Sequence, residues 1–363
     1  MNTIGQIIKI TFFGESHGEF LGVVIDQLPA GIKINIDLIK ENLSKRRPKS
    51  KISTKRIEND DFKIVSGFKN GFSTGAALTF LVKNENTKPN DYQKNEYIPR
   101  PSHADYPAYV KYNNFNDKSG GGIFSGRLTV LWVIVGSICQ QILQEKNILV
   151  ASHIKKIANV EDKDFSDTEI NETLINSLQK SDFPLINSDL KELMINKIEE
   201  ASKNEDSVGG IIESTVINSV AGLGEPLFLS VESYLSQLLF AIPGIKGIEF
   251  GKGFKLSDML GSEANDEYIY DNNELKTLSN NNGGILGGIT TGEPILLKVA
   301  VKPTSSIGKS QKSVNLKTKN NVDLEIVGRH DPQIVSRVLP VVNAVINFAI
   351  LDLLLLANKK DLF

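Results

Sequence analysis

One cysteine, Cys139, excludes an internal disulfide, and four histidines without clustered cysteines offer no zinc-ligand spacing. Neither sign of charge is in excess. The 41 basic and 43 acidic side chains leave a formal net charge of −2, so no global field recruits nucleic acid or an anionic membrane and any anion site must be local. The N-terminal MNTIGQIIKI has no basic stretch followed by a continuous apolar run and a small-residue cleavage site, so no signal peptide is read there and a cytoplasmic location is expected. Long apolar runs are scarce. LTVLWVIVGSI from Leu128 is too short to span a bilayer. VLPVVNAVINFAILDLLLLA from Val338 approaches the roughly 20 residues required, but its Pro340, Asn343, Asn347 and Asp352 suit a buried helix better than lipid. No membrane partner is expected.

What the sequence does have is a 40% hydrophobic share over 363 residues, enough for a substantial core of mixed α and β elements. Short β-branched runs at Gly22–Asp26, Phe62–Gly67, Ala77–Val82, Gly209–Val220 and Pro294–Val301 predict strands. Asn35–Arg47, Ser125 to about Glu145 and the stretch after Pro332 predict helices, and the polar segment from about Asn159 to Asn204 carries helical patches. GFSTGAALTFLV at Gly71 echoes GITTGEPILLKV at Gly288, and GEFLGVVIDQLPAG at Gly18 echoes SVGGIIESTVINSVAG at Ser207 in the same chain order. Two related halves and chance likeness of strand-turn patterns are both open. No linker separates the halves, so they are expected to share one core.

Three of the four histidines sit in compact polar motifs: His17 in GESHG, His103 in RPSHADY and His330 in GRHDP. Glycine, proline or acid flanks each, as in tight functional loops. His153, in VASHIKK, resembles a strand end and is expected to be dispensable. Glycines cluster at Gly120–Gly122, Gly209–Gly210 and in GGILGG from Gly283, where backbone amides can approach an anion or a flat ring. KPTSS, Lys302–Ser306, offers one ammonium and three hydroxyls after a predicted strand; a phosphate site and a plain polar turn fit it equally. Lys45–Arg56 holds seven cations and no acid, yet without interleaved aromatics an anionic small molecule or solvent suits it better than nucleic acid.

In order along the chain, NTIGQ, FGESHG, RRP, STG, RPSHADY, GGG with SGR, AGLGEP, KGIEFG, GGILGGI, KPTSS and GRHDP resemble the motifs of the chorismate synthase family. The resemblance covers almost the whole chain. It implies an α+β fold in which residues 1–363 form a single large catalytic domain, the family's β-α-β sandwich, and a homotetramer. It implies an anti 1,4-elimination of phosphate from 5-enolpyruvylshikimate 3-phosphate with reduced FMN bound, and NADPH as a source of reducing equivalents. By motif identity, His17 stays near the leaving phosphate, His103 protonates or orients the flavin, and Asp331 acts with the flavin in removing the C6 proton. The residues alone would have pointed to His330 instead of Asp331. The same mapping makes Ser125, Pro243, Gly244, Gly287, Lys302, Pro303, Thr304, Ser305, Ser306 and Arg329 flavin contacts, and Arg46, Arg127 and Arg337 substrate-binding cations.

The chain departs from the family pattern at GGGIFSGR, where Ile123 and Phe124 replace an arginine and a serine; at Pro107 after Tyr106; and at Ile52 in place of an arginine, near Lys49, Lys51 and Lys55. A catalytically impaired FMN- or anion-binding homologue is therefore the alternative reading.

Overall fold

The computed structural model describes residues 2–47, 59–84, 97–326 and 330–360. Arg329 and the positions Lys49, Lys51, Ile52 and Lys55 lie outside the described residues, as does most of the basic stretch Lys45–Arg56. The chain divides into two compact units, the first built from residues 1–132, 195–208 and 303–334, the second from 133–194, 209–302 and 335–363.

The first unit holds strands β1 (Thr3–Ile4), β2 (Lys9–Gly14) and β3 (Phe20–Asp26), helix α1 (Ile36–Arg46), strand β4 (Phe62–Ser66), the hairpin β5 (Phe68–Lys69) and β6 (Phe72–Ser73), and β7 (Leu78–Lys83). Asn35 caps α1 by accepting from the Leu38 N–H, which starts the helix where the sequence predicts it. Strands β1-β2-β3-β7-β4 form one antiparallel sheet in that order. Along β7, Leu78, Phe80 and Val82 are buried and alternate with less buried neighbours, the period-two pattern of a strand with one core face. The unit also contains helix α2 (Asp105–Lys111), and helix α3 (Thr129–Gln144) begins in it.

The second unit is built around β8 (Leu149–Ile157), β9 (Val160–Glu161), helix α4 (Glu172–Lys180), helix α5 (Lys191–Lys203, which runs on into the first unit), β10 (Gly210–Ile217), helix α6 (Val231–Leu239) and β11 (Ile245–Phe250). The short helix α7 (Gly261–Ala264), the hairpins β12 (Tyr268–Asp271) with β13 (Glu274–Thr277) and β14 (Ile285–Leu286) with β15 (Ile289–Thr290), and β16 (Ile295–Val301) follow. The hairpin β17 (Gln311–Asn315) with β18 (Asn320–Leu324) belongs to the first unit, and α8 (Val335–Lys360) closes the second. Its sheet runs β9-β8-β10-β16-β11, also antiparallel throughout.

The inner strands therefore correspond, β2-β3-β7-β4 in one sheet to β8-β10-β16-β11 in the other, with the same chain order and with α1 and α6 in the same place. The echoed motifs share their hydrogen bonds as well. Ser73 donates its hydroxyl to the Pro29 carbonyl (2.6 Å) and accepts from the Ile32 N–H (2.9 Å). Thr290 donates to the Val220 carbonyl (2.7 Å) and accepts from the Leu223 N–H (2.9 Å). Each hairpin is thus locked by one hydroxyl to the loop after its central strand, and related halves explain the echo better than chance.

Two helices, spanning 126–144 and 335–358, are long and apolar enough to cross a membrane. Helix α8 is instead a core helix: 89% of its most apolar window is buried, and it packs on β8, β10 and α6. The polar residues that set it apart from a membrane span are partnered. Asn343 accepts from the Ser152 hydroxyl (2.6 Å), Asn347 donates to the Asn343 carbonyl (2.8 Å), and Asp352 accepts from the Tyr234 hydroxyl. Gly136 of α3 permits close helix contact, since a Cβ there would lie 2.3 Å from the Ala344 Cα. The Cys139 thiol is buried, and burial followed by the Asp352 carboxylate pushes its pKa up, so it stays protonated and unreactive.

His153 is not at a strand end. It is fully buried in the middle of β8, in a row that crosses the sheet from His153 to Glu213, Lys298 and Glu249. Its Nε2 lies 2.8 Å from Glu213 and its Nδ1 3.4 Å from Asp162, while Lys298 pairs with Asp164 at 2.7 Å. Burial alone would lower the imidazole pKa, but the hydrogen bonds to Asp162 and Glu213 outweigh it and raise the value. Its charged form is therefore favoured beside two buried carboxylates, and the strand-end reading of VASHIKK is corrected. His153→Ala leaves buried carboxylates without their cation and is expected to cost about 3–5 kcal/mol. A folded pKa above the unfolded value of about 6.5 means the contribution is complete below that value and fades as pH rises through the folded one. The gap in melting temperature between wild type and His153→Ala should be widest below about pH 6.5 and narrow as pH rises through the raised folded value; a gap that widens with rising pH rejects the assignment.

Candidate active site

The GESHG motif forms the connection between β2 and β3, so His17 stands at the tip of a hairpin. The turn closes through the Gly18 N–H to the Glu15 carbonyl (3.0 Å). Asn84, just past β7, donates its side-chain amide to the Glu15 carbonyl (3.1 Å) and the Gly18 carbonyl (2.8 Å), clamping the loop at both ends. The Ser16 N–H donates to the Gly122 carbonyl (3.3 Å), and the Ser16 hydroxyl lies 3.1 Å from His17 Nδ1. Gly120 is the floor under the imidazole: a Cβ there would meet His17 Cε1 at 2.4 Å and Nδ1 at 2.7 Å. The first glycine cluster thus serves to let a histidine ring lie against bare backbone. Burial, and then the Asp117 carboxylate, hold the Glu15 carboxyl above its usual range.

The RPSHADY loop joins this arrangement through Arg100, which forks onto Asp105 (2.8 and 2.9 Å) and donates to the Gly120 carbonyl (2.9 Å). Burial raises the Asp105 pKa, but the Arg100 guanidinium beside it brings it below the usual carboxylate range. His103 Nδ1 is 3.0 Å from the Pro101 carbonyl. A carbonyl only accepts, so Nδ1 carries the hydrogen and Nε2 the lone pair. The preceding Ser102 holds a positive φ of 57°, a strained conformation of the kind found in functional loops.

The KPTSS hydroxyls reach the same loops. Ser305 donates to the Ser102 carbonyl (3.2 Å), Ser207 donates to the Thr304 carbonyl (2.7 Å), and Ser306 lies 3.0 Å from His330 Nδ1. His330 Nε2 faces the Ile326 carbonyl at 2.9 Å and must donate to it, so Nδ1 accepts from Ser306 and both ring nitrogens are engaged. His330 is thereby held through its ring, and Asp331 beside it is half-buried. The Thr304 hydroxyl is buried with no hydrogen-bond partner among the described residues.

Arg46 and Arg127 converge on Asp60, a buried carboxylate that no feature of its local sequence marks. Arg46 Nη2 lies 3.1 and 3.0 Å from its two oxygens, and Arg127 Nη1 donates to Oδ1. Arg127 Nε also donates to the Asn84 side-chain oxygen (3.0 Å). Ser125 caps the turn before Arg127 by accepting its N–H (3.2 Å). Ile123 and Phe124 form a 3-10 turn with Gly122 and are 43% and 41% exposed, so neither is absorbed into the core.

The remaining sequence-predicted residues belong to the second unit. There the Lys302 N–H donates to the Gly244 carbonyl (2.9 Å), which brings Lys302 to the Pro243–Gly244 turn. Burial, and then the neighbouring Lys246 ammonium, pull the Lys302 pKa down. Gly287 turns the β14–β15 hairpin at φ 61° with open space where a Cβ would stand, and Arg337 lies half-buried near the start of α8.

Comparison with known proteins agrees with this arrangement of motifs. The family model for chorismate synthase matches residues 8–355. A chorismate synthase of Thermococcus gammatolerans is 44% identical over 352 residues, 97% of each chain. One of Methanocaldococcus jannaschii is 42% identical over 366 residues, 98% of this chain and 96% of its own. A crystal structure of a chorismate synthase shares the fold, with a TM-score of 0.76 at 24% identity over 98% of this chain and 93% of that one. With that similarity running through nearly every residue, the chain belongs to the chorismate synthase family.

Proposed function

We propose that this chain is a phosphate-eliminating lyase of the shikimate route to aromatic amino acids, converting 5-enolpyruvylshikimate 3-phosphate to chorismate. The observation that carries the reading is the GESHG loop, closed by Asn84 and seated on Gly120, which holds His17 in one place. In the reaction the C–O bond to phosphate and the C6–H bond break, a second ring double bond forms, and no net oxidation occurs. The leaving phosphate needs a cation or acid, and the ring carbon needs a route for its proton.

The residues present fit a flavin that bears a phosphate. Thr304 holds a buried hydroxyl with no partner among the described residues, and Lys302 with the neighbouring Lys246 gathers positive charge. By motif, the flavin contacts are assigned to Ser125, Pro243, Gly244, Gly287, Lys302, Pro303, Thr304, Ser305 and Ser306. Arg329 is assigned with them on its motif. When bound, reduced FMN supplies transient electron density that helps to expel phosphate.

On this reading His17 holds a proton beside the departing phosphate. His103, its tautomer set by Pro101, exchanges a proton at Nε2. Asp331 takes part in moving the C6 proton. Arg46, Arg127 and Arg337 bind the substrate's phosphate and carboxylates; the guanidiniums of Arg46, Arg127 and, at 3.9 Å, Arg47 outnumber the single Asp60 carboxylate and leave positive charge for that purpose. The working form is a cytoplasmic homotetramer, with NADPH as a candidate source of reducing equivalents.

Turnover of 5-enolpyruvylshikimate 3-phosphate with photoreduced FMN under anaerobic conditions tests the proposal. His17→Ala and His103→Ala should each slow it by about 10²-fold or more, the scale of a lost acid or base. Gly120→Ala should do the same by displacing the His17 ring. Unchanged rates in all three reject the assignment.

Lys302→Ala should weaken FMN binding by about 10- to 150-fold, the worth of one charge-assisted contact, as read by flavin fluorescence. An unchanged affinity moves the flavin phosphate elsewhere.

The departure at Ile123 and Phe124 favours a second reading, weakened substrate binding with nearly normal flavin binding. Desolvating a polyanion against two apolar side chains is unfavourable. Because both are partly exposed, the double change Ile123→Arg, Phe124→Ser does not bury a charge and should lower KM without lowering the melting temperature. A collapse in melting temperature with no gain in KM rejects this reading.

A further inference from the structure

Asn84 occupies a junction that the proposed chemistry does not use. Its backbone N–H donates to the Glu19 carbonyl (3.1 Å), fixing it beside the end of the GESHG loop. Its side-chain nitrogen donates to the Glu15 and Gly18 carbonyls, and its side-chain oxygen accepts from Arg127 Nε. The amide orientation admits no alternative, since carbonyls only accept and a guanidinium only donates. Arg127 is in turn held by Asp60 and by the Lys83 carbonyl (3.4 Å), and Asp60 also holds Arg46. One continuous chain of hydrogen bonds therefore runs from two buried guanidiniums through a single amide to the backbone on either side of His17.

We infer that Asn84 is a positioning residue that ties the anion-binding arginines to the catalytic loop, so that the guanidinium of Arg127 and the imidazole of His17 keep a fixed separation. This rests on the assignment of His17 and Arg127 made above. The reason for an amide is its mixed chemistry. The position must donate twice toward the loop and accept once from the arginine, which neither a carboxylate nor a hydroxyl does in that geometry. An aspartate of the same shape would keep the arginine contact and even strengthen it, but would set an anion against two carbonyl oxygens and release the loop. A serine is too short to keep either contact.

The two variants therefore separate two effects. Asn84→Asp should lower kcat by about 10- to 100-fold with KM within about threefold, because a loosened His17 is misplaced for the chemistry while Arg127 stays put. Asn84→Ser should lower kcat and raise KM together, because Arg127 is released as well. The independent readout is histidine side-chain NMR on the intact protein without substrate. In both variants the His17 resonances should shift and broaden, while those of His153 and His330, which have their own partners, stay in place.

Variants that melt at a lower temperature but keep the His17 resonances and the kinetic constants of wild type overturn the inference, leaving Asn84 a merely structural residue. Equal losses in kcat and KM for Asn84→Asp and Asn84→Ser also overturn it. If Asn84→Asp does not fold, Asn84→Ser decides by the His17 resonances alone. If the unmodified chain does not turn over the substrate, the proposed function fails, while the His17 resonances still decide whether Asn84 positions the loop.

Discussion

A charge removed from water must meet its opposite at hydrogen-bonding distance, and both units of this protein are organised by that constraint. In the first, the Asp60 carboxylate draws Arg46 from the end of α1 and Arg127 from the turn before α3 to one point. In the second, His153, Glu213, Lys298 and Asp164 neutralise one another across three strands and the segment that follows β9. The outcomes differ in sign. The second cluster sets His153 and Lys298 against Glu213, Asp162 and Asp164 and closes on itself, whereas the first gathers more guanidiniums than carboxylates.

The two sheets share their strand order and their hydroxyl lock, and they part company at the connection between their first two inner strands. Between β2 and β3 the connection is five residues, Glu15–Glu19, and carries His17. Between β8 and β10 the corresponding connection contains β9, α4 and α5, and its Phe165, Ile175 and Leu178 cover Ala151, Ile217 and Leu296 with an apolar layer. The same position in a common topology thus supplies a short polar loop in one case and an apolar cover over the sheet in the other. A short turn leaves polar backbone accessible, and a long insertion brings enough apolar area to bury what lies beneath.

Much of this was legible before any coordinates. Strands with clean alternation, such as Leu78–Lys83, and the capped helix Ile36–Arg46 read directly, because their periodicity is local. The loops at His17 and His103 were legible because glycine and proline beside histidine mark tight turns. His153 was misread for a physical reason: VASHIKK mixes small and charged residues as a strand end does, and the partners that justify a charge there lie on β10 and beyond β9. Asp60 and Asn84 escaped for the same reason. Each sits in a polar stretch with no distinctive spacing; Asn84 acquires its meaning from Glu15, Gly18 and Arg127, and Asp60 from Arg46 and the distant Arg127. Likewise His330 looked reactive until Ser306 and Ile326 engaged both of its nitrogens.

Neither unit is contiguous in the chain, and this bears on how the protein is made. The first unit needs residues 303–334 as well as 1–132, and the second needs α8 as well as 133–194. Within the sheets, β3 pairs with β7 and β10 with β16 across long intervening segments, so closing these loops costs entropy before any pairing stabilises the product. A chain lacking α8 would expose the parts of β8, β10 and α6 that it covers, so that helix is core and not an appendage. Each unit therefore reaches its native state only after segments separated by long stretches of chain have met, whichever of them is made first.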